Sequence, residues 1–102
     1  MGMIVSNEPG YYEQGWGGIR LENLYVVTVD ETLPVHPSGK RWLQLEPLTV
    51  IPFDQRLIDW SQLSEADHAW LAWYHRQVWE TVGPRLSSAD RAWLHAACEP
   101  FF

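Results

Sequence analysis

The sequence predicts an α+β chain: antiparallel strands over residues 1–60, then a helical hairpin over residues 61–102. Three observations carry this. Apolar, β-branched and aromatic runs mark the first part and are set apart by turns bearing glycine and proline. Beyond Ser64 the apolar residues switch to helical spacing, with capping residues at the starts and Gly-Pro or Glu-Pro at the ends. The shift in composition falls near Ser61–Ser64, and the chain has no internal repeat and no low-complexity tract.

Residues 3–6 read as a short strand. Glu8-Pro9-Gly10 bends the chain, because proline pre-sets φ and glycine frees it. Tyr11-Tyr12 continues extended, and Gln14–Gly18 is a glycine-rich hairpin loop. Residues 19–29, rich in Ile, Leu, Tyr and Val, are the strongest strand of roughly three. Asp30–Lys40 holds Pro34, Pro37 and Gly39 and reads as an exposed loop. Trp42–Val50 is a further strand, with Glu46-Pro47 marking a bend or an edge, since proline cannot donate to a ladder. Pro52–Asp59 is irregular, and Leu57 and Ile58 are expected to plug a hydrophobic gap. Ser64 caps the first helix, with Glu65 and Asp67 complementing its positive dipole end. Leu71, Tyr74, Val78 and Val82 recur at i, i+3, i+7 and i+11 and form an apolar face with Trp70. Gly83-Pro84 ends that helix. Ser87 or Ser88 caps a second one, whose apolar side is Ala92, Trp93, Ala96 and Ala97 and which Glu99-Pro100 stops. The short connection makes the two helices antiparallel neighbours.

Two carboxylates stand out. Glu8 ends the first strand at the Pro-Gly turn. Glu22 lies in an alternating segment, with Arg20 and Leu24 on its own side and Ile19, Leu21 and Asn23 on the other. A carboxylate among large apolar strand residues is costly to bury unless it is paired or binds a metal. Two of them on adjacent antiparallel strands could converge on one cation. From spacing alone a strand glutamate is ordinarily a surface residue, and both readings stand at this point. Arg20 is either a surface cation beside an acid or a group that orients the site. Tyr12 either joins that network or packs on the strand.

The run Ser6-Asn7-Glu8-Pro9-Gly10-Tyr11-Tyr12 and the run Gly17-Gly18-Ile19-Arg20-Leu21-Glu22-Asn23-Leu24 resemble the last two metal-ligand motifs of the pita-bread metallopeptidases, family M24. The wording is closest to the Xaa-Pro aminopeptidase branch. Leu48–Asp59 resembles the run that follows the catalytic core there, and Trp70-Leu71-Ala72-Trp73-Tyr74-His75 resembles the next helix. The resemblance covers nearly the whole chain. It implies that residues 1–60 are the C-terminal strands of a catalytic pita-bread domain, incomplete here, and residues 61–102 a helical extension. It implies a dinuclear site of two aspartates, one histidine and two glutamates. Glu8 and Glu22 match the glutamates, Glu22 as the bridging ligand and Glu8 as the ligand of one metal placed to take the proton of a water. Arg20 joins Glu8 as a catalytic group beside them. Carboxylates suit hard divalent ions, manganese foremost, with cobalt or zinc as alternatives.

The implied activity is hydrolysis of the N-terminal Xaa-Pro peptide bond. No aspartate-bearing strand pair and no histidine-bearing loop precedes Met3. The chain is therefore expected to be the C-terminal portion of such an enzyme, inactive by itself, with weak metal binding or none. Its expected partners are a peptide with proline at the second position, the remainder of the catalytic domain, and a second copy in a homo-oligomer. The competing reading is a stand-alone, non-enzymatic binding or dimerisation module that retains relict glutamates.

Bulk properties exclude other classes. The 102 residues suit one small domain, and 46% apolar content is not that of a disordered chain. Net charge is −6, and the seven Lys and Arg are scattered, which disfavours nucleic acid. Cys98 is alone and makes no internal disulfide, which suits a reducing, cytoplasmic setting. No leader pattern and no apolar run near the ~18 residues of a membrane span is present. Seven tryptophans imply a large aromatic area in a core or an interface. Of Trp60, Trp70, Trp73, Trp79 and Trp93 most are expected in the core, while Trp73 and Trp79 lie off the Leu71/Tyr74/Val78 face and are expected to front a partner. His36 reads as solvated and His75 as structural. His95 and Cys98, at i and i+3, are two ligands only, too few for a metal site.

Overall fold

In the computed structural model, which describes residues 1–99, the strands are β1 (Ile4–Asn7), β2 (Gly10–Glu13), β3 (Gly17–Arg20), β4 (Asn23–Val29) and β5 (Leu43–Pro47). The helices are α1 (Glu65–Val82) and α2 (Ser88–Cys98). Pro100, the expected helix stop, lies outside the described residues. Packing divides the chain between Thr49 and Val50 into two units, each described by itself.

In the first unit all pairing is antiparallel. β4 is the centre of a three-stranded sheet, with β1 on one side and β5 on the other, and β2 pairs with β3 in a separate hairpin. The expected single strand over 19–29 is thus two strands in two sheets. Leu21 and Glu22 fall between them, with Leu21 opposite Pro9, which has no N–H to donate to the ladder. The hairpin turn uses Gly15 and Gly17 in left-handed backbone, φ +80° and +135°. The Thr49 hydroxyl accepts from the Leu24 N–H (2.8 Å), taking the place of a strand carbonyl where the β4–β5 ladder ends. Among residues 1–49 only Asn23 and Tyr25 are buried. Large apolar side chains, among them Ile4, Ile19, Leu24, Leu43 and Leu45, stay exposed.

The second unit has a core. Tyr74 and Val78 of α1 meet Leu94 and Cys98 of α2, with Phe53, Trp79, Val82 and Leu86 packed around them. Ser64 caps α1 in a reciprocal box: its hydroxyl accepts from the Asp67 N–H (3.2 Å), and the Asp67 carboxylate accepts from the Ser64 N–H (3.0 Å). α1 ends at Gly83 in a 3₁₀ turn through Pro84, and Ser87, not Ser88, caps α2. The helices run antiparallel, since the Arg91 Nε–H donates to the Gly83 carbonyl (3.0 Å) while His95 meets the Trp79 ring one turn earlier in α1. The irregular segment is pinned to α1 by two bonds. The Tyr74 hydroxyl donates to the Ile51 carbonyl (2.7 Å), and the Phe53 N–H donates to His75 Nε2 (2.9 Å). Two 3₁₀ turns, Gln55–Leu57 and Trp60–Gln62, follow, capped by Asp54 and Asp59.

Several expectations need correcting. The buried side of α2 is Leu94 and Cys98, while Trp93 is 67% exposed. Leu57 is exposed and plugs no gap. None of the seven tryptophans is fully buried. Trp79 leans on the core and stacks edge-on against His95, and Trp73 is the one of its pair that stays exposed. For the tryptophans the cause is size: the indole is the largest side chain and is seldom covered completely, whereas the smaller Tyr74, Leu94 and Cys98 fit the two-helix seam.

Candidate metal-ligand site

The site forms where two ladders meet. In β1–β4 the last pair is Asn7 with Asn23, and in β2–β3 the first is Gly10 with Arg20. Between them the Leu21 N–H donates to the Pro9 carbonyl (3.1 Å), so the register runs through without a slip. Glu8 and Glu22 therefore stand directly opposite each other, at the point where Pro9 interrupts the strand. Residues opposite in an antiparallel pair share a face, and two like charges there repel unless a cation lies between or beside them.

A cation does lie beside them. Arg20 Nε is 3.4 Å from Glu22 Oε2, and its Nη1–H donates to the Tyr12 hydroxyl at 3.5 Å, a long hydrogen bond. The guanidinium pKa is raised above its already high ordinary value, first by the Tyr12 contact and further by Glu22 and Glu8. Arg20 is thus a fixed positive charge next to both carboxylates. Tyr12, left open by the sequence, takes part in the network. Its contact was not legible because it depends on what faces it across the hairpin. Thr49, which anchors the start of β4 just beyond Glu22, was missed altogether, and a threonine in an apolar run carries no signal that could have found it.

Tyr12, Arg20 and Glu22, with Gly18, line an open cleft, and Glu8 is not among its lining residues. The metal donor it offers is hard, the carboxylate oxygens of Glu22, with no sulfur or imidazole. That chemistry fits Mn²⁺ or Mg²⁺. Among the described residues no group of three or more His, Cys, Asp and Glu side chains is placed to hold a metal. Cys98 is buried, with its thiol pKa pushed up to about 11 by burial, and His95 pairs with Glu99 at 3.4 Å instead.

Comparison with known proteins agrees with the motifs. A sequence profile described as the C-terminal region of peptidase_M24 matches residues 41–101, and one for metallopeptidase family M24 matches residues 1–29. The chain belongs to the peptidase M24 family. A probable Xaa-Pro aminopeptidase P of Coprinopsis cinerea is 44% identical over 97% of the chain, and aminopeptidase P2 of Arabidopsis thaliana is 48% identical over 91%. The X-prolyl aminopeptidase of Caenorhabditis elegans, described as a cytosolic enzyme with a di-nuclear active site, superposes over 95% of the chain with a TM-score of 0.81 and 32% identity. The α+β architecture is therefore that of the last antiparallel strands of the M24 pita-bread fold followed by its helical pair. This M24 chain spans 16% of the length of the first relative, 13% of the second and 16% of the solved one. Among its described residues no helix is long and apolar enough to cross a membrane.

Proposed function

We propose that this chain is the C-terminal segment of a dinuclear-metal Xaa-Pro aminopeptidase and supplies two of its metal ligands, Glu8 and Glu22. The observation that carries the reading is the continuous register that sets the two carboxylates opposite each other with Arg20 alongside. The relatives' names supply the substrate class: a peptide with proline at its second position. Residues 1–60 close the catalytic domain, and residues 61–102 extend it, with the exposed Trp73 and Trp93 available to a second copy. The remaining ligands, two aspartates and a histidine, come from the rest of the catalytic domain, and the working compartment is the cytoplasm.

In this reading Glu22 and Glu8 would be two of the carboxylates that hold a divalent metal pair. A divalent pair, manganese foremost, supplies the positive charge that makes water acidic at neutral pH and polarises a carbonyl. Glu8, exposed at the Pro9 break, would take the proton of that water. Arg20 stands beside Glu22 as its ion-pair partner and is itself held by Tyr12. Tyr12 and Arg20 bind no metal.

Titration of the chain with Mn²⁺ by calorimetry tests this. Two carboxylates are few ligands, so binding is weak, and it disappears in both Glu8→Ala and Glu22→Ala. When the chain is joined to the rest of an M24 catalytic domain, Glu22→Ala abolishes metal-dependent Xaa-Pro cleavage and leaves the fold intact. Unchanged Mn²⁺ binding in Glu22→Ala, or two tight sites in the chain alone, would overturn the assignment and favour an independent binding module.

A further inference from the structure

Gly2, Gly15, Gly17 and Gly39 have left-handed backbone that accounts for glycine at each. Gly10 and Gly18 have no such reason, because neither has positive φ. What sets them apart is room. A Cβ on Gly18 would run into Cδ1 of Tyr12 and lie 3.0 Å from its Cε1. One on Gly10 would lie 2.5 Å from the Tyr12 hydroxyl oxygen and 2.8 Å from Cζ. These approaches are closer than van der Waals contact allows.

The register shows why. Tyr12 faces Gly18 across the hairpin, Gly10 lies two residues before Tyr12 on the same strand, and Arg20 faces Gly10. All four positions share one face. The Tyr12 ring runs along the ribbon from Gly18 near its root to Gly10 at its hydroxyl end. A tyrosine standing upright would carry its hydroxyl away from the sheet. This one brings it to Arg20 Nη1 at 3.5 Å, while Arg20 Nε lies 3.4 Å from Glu22 Oε2.

We propose that Gly10 and Gly18 form a seat for the Tyr12 ring, and that this seat, through the Tyr12 hydroxyl, sets where Arg20 stands beside Glu22. Gly18 is thereby a positioning residue of the site, and this role rests on the reading of Glu8 and Glu22 given above. The plainer alternative is that an aromatic ring laid over a cross-strand glycine only covers backbone and stabilises the hairpin. That alternative moves stability and leaves Arg20 where it is.

NMR of the metal-free chain separates the two. The wild type gives nuclear Overhauser contacts from the Tyr12 ring to the α-protons of Gly10 and Gly18, and an Arg20 Nε–H shielded from exchange. Tyr12→Phe keeps the ring seated and removes the hydroxyl. The ring contacts persist, and Arg20 Nε–H exchange quickens about fivefold, the factor for one net hydrogen bond. Gly18→Ala leaves the tyrosine chemically whole but evicts its ring, so the contacts vanish and exchange quickens by a similar factor. In the Tyr12→Phe background, Gly18→Ala adds nothing to the exchange rate. Unchanged Arg20 exchange in Gly18→Ala, or equal quickening in both backgrounds, overturns the proposal. Should Gly18→Ala fail to fold, the double variant with Tyr12→Ala decides. Folding returns if the ring is what the new methyl strikes, and a double variant that stays unfolded overturns the seat. No metal enters these readings, so a failure of the metal assignment appears in the Mn²⁺ titration and not here.

Discussion

At His75 the two ring nitrogens have opposite tasks. Nε2 accepts from the Phe53 N–H (2.9 Å), and Nδ1, facing the Leu71 carbonyl (3.1 Å), carries the proton and donates it. The neutral ring is therefore the one the fold uses, and burial, the largest influence, pushes its pKa below the ordinary value of 6.5. An unfolded chain takes up a proton on this histidine near pH 6.5, while the folded chain resists it to lower pH. Stability is thus complete above about pH 6.5 and falls as pH drops from there toward the folded-state pKa. Urea unfolding followed by tryptophan fluorescence should show this decline as pH falls below about 6.5. His75→Asn, which retains an acceptor and a donor, should show a shallower one, and equal slopes would remove His75 as the cause. The sequence identified this residue as structural from its helix motif. In the same way it could name Glu8, Arg20 and Glu22, because the surrounding words single them out. It could not supply the Phe53 N–H or the Tyr12 hydroxyl as partners. The first joins residues 22 apart in the chain, and the second depends on how the hairpin lays Tyr12 toward Arg20, so no local pattern fixes either.

The same division appears among the elements. Helix starts were legible because Ser64 with Asp67, and Ser87 with Asp90, satisfy amide groups within a few residues of themselves. The break at Leu21-Glu22 was not, since it is imposed from across the ladder, where Pro9 has no N–H to give and the partner changes from β2 to β1. The buried face of α2 was also misread. Apolar residues occur all around that helix, so spacing allows two answers, and the one led by the largest side chain failed. Leu94 is 3% exposed and Trp93 67%. Leu94→Ala should cost about 2–5 kcal/mol through lost burial and the cavity left behind. Trp93→Ala should change stability by only ~0.5 kcal/mol, as for a surface substitution. Denaturant midpoints of the two variants check this, and a costlier Trp93→Ala would return the face to the tryptophan.

On the scale of the whole molecule the two units are unequal. Residues from Val50 onward bury a cluster shared by both helices, whereas residues 1–49 bury only Asn23 and Tyr25. The three-stranded sheet has β1 and β5 as open edges, and Leu43 and Leu45 on β5 are 55% and 51% exposed. Unpaired backbone beside exposed leucines is a template for another strand. The chain should therefore self-associate at micromolar concentration, with sedimentation giving a mass that rises with loading. Leu45→Lys should shift it toward monomer, because an edge lysine opposes strand addition. A wild-type chain that sediments as a monomer throughout would show that the first unit is self-sufficient as it stands.

The unbroken pairing through Pro9 and Leu21 has a further consequence, one of parity. Strand side chains alternate, so one residue inserted into either arm of the ribbon would turn one glutamate to the opposite face while its partner stayed put. Residues added at the tip, around Gln14–Trp16, would lengthen the loop and leave the arms in step. Relatives that keep a Glu8–Glu22 pair are thus free to vary the length of the tip but not of the arms. An odd insertion in one arm would mark a chain that has given the pair up.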